Sequence, residues 1–123
     1  MRRILIGVLL ALPACHHRAD LTPLPAWSTV EIAITVVNHN WSDIRIYLLH
    51  DGITERLGVV TAASSATFSV PGRDFASGAA FRLRATLIGG SARVTTEPLL
   101  VQSDQDVIWT IEGYLPNSSV FVE

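Results

Sequence analysis

Lysine is missing from this chain and cysteine nearly so: all nine basic residues are arginine, and Cys15 is the single thiol. One cysteine excludes an internal disulfide, so an exported domain of this sequence must fold on its apolar core alone. Charge is sparse at 16% with a net of −2, and no basic cluster stands out, which argues against nucleic acid as a partner. No apolar run approaches the ~20 residues that a membrane-crossing helix needs. No window shows a helical period. The nucleophile elbow G-x-S-x-G, the zinc motif H-E-x-x-H and the phosphate loop are all missing. No cofactor, metal site or catalytic set is therefore expected, and the sequence reads as a non-enzyme.

What is present begins at the N-terminus. Arg2 and Arg3 precede an apolar stretch, Ile4 to Leu12, interrupted only by Gly7. Its shortness and its charged flank fit the core of a secretory signal. The segment Leu12-Pro13-Ala14-Cys15 follows. It resembles the lipobox of bacterial lipoproteins, with Leu12, Ala14 and Cys15 on the pattern and Pro13 where a small or β-branched residue is commoner. The resemblance implies cleavage before Cys15, a diacylglycerol on its sulfur and an acyl chain such as palmitate on the new amine. Two or more chains hold a protein stably on a membrane, each buried CH₂ contributing ~0.8 kcal/mol. His16 in place of Asp after the cysteine implies, by the family's sorting rule, the outer rather than the inner membrane. The lone thiol is then an anchor and not a redox group.

Residues 1–14 are accordingly the expected signal peptide. Residues 15–28 are the lipidated cysteine and an extended linker, since Pro23 and Pro25 disfavour helix. His16 and His17 in that tether are expected to be solvated and not metal ligands. From residue 29 to 123 the apolar content, 49% of the whole chain, is high enough for a packed domain.

In that domain the apolar period is two. Val30, Ile32, Ile34 and Val36 share one face, as do Ile44, Ile46 and Leu48, then Phe81, Leu83, Ala85 and Leu87, then Val107, Trp109 and Ile111. Eight strands are predicted, near 29–37, 44–50, 53–61, 65–70, 79–88, 91–101, 106–112 and 119–122. Short strands at this spacing indicate an all-β fold, an antiparallel β-sandwich or a small barrel. The architecture resembles the immunoglobulin-like and transthyretin-like sandwiches of bacterial envelope proteins. Asp51-Gly52 predicts a two-residue hairpin turn. It would place Ile46 opposite Leu57 and Ile44 opposite Val59 inside, with Tyr47 opposite Arg56 outside. Gly89-Gly90 predicts a second hairpin, with Leu87 opposite Ala92, Ala85 opposite Val94, and Arg82 opposite Glu97. Pro98 predicts an edge position or a bulge in the 91–101 strand.

If consecutive strands run antiparallel, their connections alternate between two ends. One end collects 38–43, 62–64, 89–90 and 113–118. The other collects 51–52, 71–78 and 102–105. This separates His39 from His50 by a strand of ~20 Å, too far to share a metal ion. Asp74, Asp104 and Asp106 share an end and have the oxygen chemistry of Ca²⁺, but Asp in turns commonly caps backbone amides. Arg82, Arg84 and Arg93 form a basic stripe of the kind that meets acidic sugars or lipid phosphates, although an opposing Glu97 marks an ordinary solvated face. The strongest candidate site is the stretch "NHNWSD", residues 38–43. His39, Asn40 and Trp41 lie there, and Tyr114 lies at the same end. Such aromatics anchor protein partners and stack on sugar rings. The commoner arrangement is for Trp41 to fold back and plug the open end of the sandwich. The sequence thus predicts an envelope lipoprotein that binds a protein or glycan through its distal loops, with an ordinary signal peptide beside a stray cysteine as the alternative to the anchor. The other functional readings are an assembly accessory that pairs a partner strand along its β-edge and, least favoured for want of a convergent set, a small metal-dependent enzyme.

Overall fold

The computed structural model describes residues 31–75, 78–102 and 104–123. The signal, Cys15 and the linker lie outside these residues. Eight strands form: β1 (Glu31–Asn38), β2 (Ile44–His50), β3 (Ile53–Val60), β4 (Ser65–Pro71), β5 (Arg82–Leu87), β6 (Arg93–Thr95), β7 (Val107–Ile111) and β8 (Ser119–Val122). They build two four-stranded sheets, ordered β4-β1-β7-β8 and β3-β2-β5-β6, packed as a sandwich. Two single turns of 3₁₀ helix, Gly72–Phe75 and Leu115–Asn117, sit in connections.

The alternating pattern decides which side chains go inside. Ile32, Ile34, Val36, Ile44, Ile46, Leu48, Leu83, Ala85, Val107, Trp109 and Ile111 are all buried in one core. A residue fully buried in this way contributes ~1.5–3 kcal/mol, and the described part of the chain contains no cysteine to supplement it. Phe75 and Phe81 close the end of the core at which β1 begins. Their rings lie 4.7 Å apart, and His50 packs edge-on against Phe75 at 5.6 Å.

One strand pair departs from the antiparallel expectation: β1 pairs with β7 in parallel, Ile34 opposite Val107 and Asn38 opposite Ile111. Both are odd-numbered strands in an alternating path. They point the same way, so once adjacent they have no other option. The alternation itself is intact, and the connections fall at the two ends as expected.

The Asp51-Gly52 turn forms with both residues at positive φ, 49° and 74°, which matches the twist of the strands it joins. Tyr47 faces Arg56, but the inner register is corrected by a bulge between Ile46 and Tyr47: Ile46 lies opposite Gly58 and not Leu57, and Ile44 opposite Val60 and not Val59. Val59 turns outward beside Arg45. The reason is steric. A Cβ on Gly58 would stand 2.7 Å from Cε1 of Phe68, so the Phe68 ring of β4 fills the space that a larger inward side chain would need. In the second hairpin Ala85 faces Val94 and the Leu87 amide donates to the Ala92 carbonyl at 3.0 Å, as expected. The ladder then ends at Thr95. Beyond it the Thr96 hydroxyl accepts from the Leu83 amide at 3.0 Å, and the next pairing, Phe81 with Leu99, is shifted by one residue. Pro98 lies within that shift, beyond the end of the edge strand β6, and Arg82 and Glu97 form no ion pair.

Candidate functional site

The end of the sandwich at which β1 finishes is built around two asparagines. Asn38 stands on the buried face of β1, where the pattern Ile32, Ile34, Val36 would continue with an apolar residue. It is 0% exposed. A buried amide must satisfy its donors and acceptor within the protein. Asn38 Nδ2 donates to the carbonyls of Ser42 (3.0 Å), Thr61 (3.1 Å) and Val60 (3.4 Å), and its Oδ1 accepts from the Asn40 amide at 2.9 Å.

Asn40 repeats the device two residues on. Its Oδ1 accepts from the Ser42 amide at 3.0 Å, and its Nδ2 donates to the carbonyls of Glu112 (3.2 Å) and Gly113 (3.1 Å). Each asparagine thus closes a local turn onto the amide two residues later, the conformation for which Asn is suited. The loop is also tied at its edges. The His39 amide donates to the Ile111 carbonyl at 2.8 Å, the Ala63 amide to the Asn40 carbonyl at 3.2 Å, and the Ile88 amide to the Asp43 carbonyl at 2.9 Å. The Asp43 carboxylate accepts from the Ala62 amide at 2.9 Å. Four connections distant in sequence are thereby joined by hydrogen bonds into one platform.

Trp41 sits between the two pinned residues Asn40 and Ser42 and is 90% exposed. It does not fold back over the core, because both of its neighbours are held in place by side-chain to backbone bonds. Leu115, buried in the 3₁₀ turn, plugs this end instead. Tyr114, just before that turn, is 68% exposed. The bond from Asn40 to the Gly113 carbonyl sets Trp41 and Tyr114 on adjoining loops. A tryptophan side chain buries up to ~200 Å². At ~25 cal/mol per Å², leaving it in water forgoes about 5 kcal/mol of burial that a partner surface would recover.

The four residues singled out in the sequence separate into three roles. Trp41 and Tyr114 are displayed. Asn40 is buried, its polar atoms are engaged inside the protein, and it holds the backbone on either side of Trp41. His39 is exposed, with Nδ1 3.4 Å from the Glu112 carboxylate, an open pair of small energetic weight. A shallow depression of about 390 Å³ lies beside it, lined by Val37, Asn38, His39 and Ala63 to Ser65. Asn38 heads the candidate stretch 38–43 but is not among the four residues that the sequence singles out. The signal was available: two asparagines two apart, each followed two positions later by a loop residue.

The opposite end holds His50, whose side chain is mostly covered, with Asp51 at 3.5 Å and Glu55 at 3.8 Å. His39 and His50 lie at opposite ends, as the strand parity requires. Asp106 Oδ1 accepts from the Ala33 amide at 3.1 Å and so performs a backbone-capping role. Among the described residues no group of three or more His, Cys, Asp or Glu is arranged to hold a metal ion. The side chain of Asp74 lies outside the described set.

No known family model matches the chain. No curated protein matches its sequence. Among solved structures, the NMR structure of a protein from Eubacterium rectale is similar over 77% of this chain and 90% of its own, at 16% identity and a TM-score of 0.49.

Proposed function

We propose that the protein is a lipid-anchored envelope lipoprotein whose non-catalytic sandwich binds a protein or a glycan through the end that carries Trp41 and Tyr114. The observation that carries the reading is a tryptophan 90% exposed on a loop fixed by side-chain hydrogen bonds. A mobile loop with an exposed aromatic would pay ordering entropy on binding, roughly 0.5–1.5 kcal/mol for each side chain immobilised. Here the neighbouring residues are already held, and the aromatic can act as an anchor of the kind that dominates recognition surfaces. In the anchored reading the linker joins the sandwich where β1 begins, so this end points away from the membrane. His16 after Cys15 favours the outer membrane.

Pairing of a partner strand along the 91–101 edge is the weaker reading. That edge offers a three-residue ladder and then a register shift at Thr96 to Leu99.

The test is site-specific photo-crosslinking in the native cell, with a photoreactive aromatic placed at Trp41 and, as a control, at the exposed Thr67 of β4. A defined adduct from position 41 that is absent from position 67, and that Tyr114→Ala weakens, is the expected result. Equal labelling at both positions, or none at 41 while a proline in the 91–101 strand blocks assembly, would transfer the binding role to an edge.

A further inference from the structure

Two opposite sheet faces differ sharply in charge. The outer face of β4-β1-β7-β8 places Thr67, Thr35, Ile108 and Phe121 in one row and Ser65, Val37, Thr110 and Ser119 in the next. Neither row carries a charge. The outer face of β3-β2-β5-β6 holds Arg45, Arg56, Arg82, Arg84 and Arg93, every arginine whose side chain is described.

The ladder sets these arginines in order. One row across the sheet reads Val59, Arg45, Thr86, Arg93. The next reads Arg56, Tyr47, Arg84, Thr95. In each row the two guanidinium-bearing residues are two strands apart, about 9.6 Å at ~4.8 Å per strand. No carboxylate appears in either row. The ion pairs found among the described residues all involve histidine, and no described Asp or Glu lies within 4.0 Å of these arginines. Glu97, the acid expected to neutralise Arg82, lies in the irregular stretch between the Leu83–Thr96 and Phe81–Leu99 pairings and forms no ion pair with it. Arg84, in the centre, is half-buried, and its Nε is enclosed without a hydrogen-bond partner. A guanidinium partly stripped of water and left without a counter-charge is costly unless an anion approaches its open edge.

We propose that this face binds an acidic polysaccharide, a chain carrying carboxylate or sulfate groups on its sugar rings. Arg45, Arg56 and Arg93 of the two rows are exposed along the sheet, an arrangement that suits an extended polymer. The two rows offer cations at a spacing suited to charges on alternate sugars. Tyr47, between Arg56 and Arg84, supplies a ring on which a sugar stacks, and Thr86 and Thr95 supply hydroxyls for sugar oxygens. Single-stranded nucleic acid wants several aromatics in line, whereas this face has one. A bilayer wants apolar side chains among the cations, whereas these two rows offer only Val59. The inference is independent of the anchor and of the Trp41 surface.

The test uses the full chain, purified in non-ionic detergent whether or not it is found in membranes, and measures binding to polygalacturonate, dextran sulfate, neutral dextran, polyphosphate and phosphatidylglycerol vesicles. Expected are binding to the two acidic glycans and not to neutral dextran, weakening as salt screens the arginines. Arg45→Gln with Arg84→Gln should lower affinity about tenfold or more through loss of charge-assisted bonds. Tyr47→Ala should weaken glycan binding, and Trp41→Ala should leave it unchanged. Should Arg84→Gln fail to fold, Arg45→Gln with Arg93→Gln tests the other row on exposed residues. Failure to bind either glycan would overturn the proposal. So would tighter binding to polyphosphate or vesicles that Tyr47→Ala leaves untouched, which would mark charge attraction without sugar recognition.

Discussion

Asn38 occupies a position where the alternation of β1 asks for an apolar side chain, and that substitution of amide for hydrocarbon organises the loop above it. The amide serves the Val60 and Thr61 carbonyls of one other segment, and the Ser42 carbonyl and the Asn40 amide of its own loop. Asn38→Ala leaves several of these buried groups unpaired, so a loss of about 2–4 kcal/mol is expected in denaturant unfolding, given ~1–3 kcal/mol for each unsatisfied buried group. Trp41→Ala, at an exposed position, should stay within ~0.5 kcal/mol of the parent. A tryptophan whose removal destabilised the fold as much as Asn38→Ala would be a structural plug and not a displayed anchor. That Trp41 stands among turn formers is legible in the sequence. Its direction was not, because a hydrophobicity count sends a tryptophan inward. The paired asparagine turns that hold it outward depend on carbonyls of Val60, Thr61, Glu112 and Gly113, which only the folded chain brings near.

At the scale of elements, period-two alternation located four strands, short runs between turn residues located the other four, and the Asp51-Gly52 and Gly89-Gly90 dipeptides located both hairpin turns. Register proved legible only near each turn. In the β2–β3 hairpin the pairing holds from His50 to Tyr47 and then slips at the bulge. The cause lies in the other sheet, where the Phe68 ring requires a hydrogen in place of a side chain at Gly58. No local pattern announces such a contact. Gly58→Ala should cost about 1–3 kcal/mol through overpacking, and Gly58→Ala combined with Phe68→Leu should recover part of that loss if the two positions are coupled as described. Additive losses in the double variant, read from the same denaturation curves, would show that the bulge has another origin. The β5–β6 hairpin slips for a reason that was legible, since Pro98 cannot extend a ladder and lies where the pairing shifts.

The whole molecule is a sandwich whose ends and faces are specialised. One end is closed by Phe75 and Phe81, the other by Leu115 beneath a displayed Trp41 and Tyr114. One outer face carries uncharged rows and the other carries arginines without acids. Composition could not show that separation, because a net charge of −2 averages over faces. Among the described residues no helix is long and apolar enough to cross a membrane. The proposed outward display of the Trp41 end rests on a lipid at Cys15, whereas the arginine face does not depend on it. The decisive measurement is intact mass spectrometry of the protein purified from its native membranes, with the N-terminus sequenced. The account predicts a chain starting at Cys15 with a diacylglycerol-sized addition on the sulfur. A chain starting at Met1, or one starting near residue 15 with a free thiol, would contradict it.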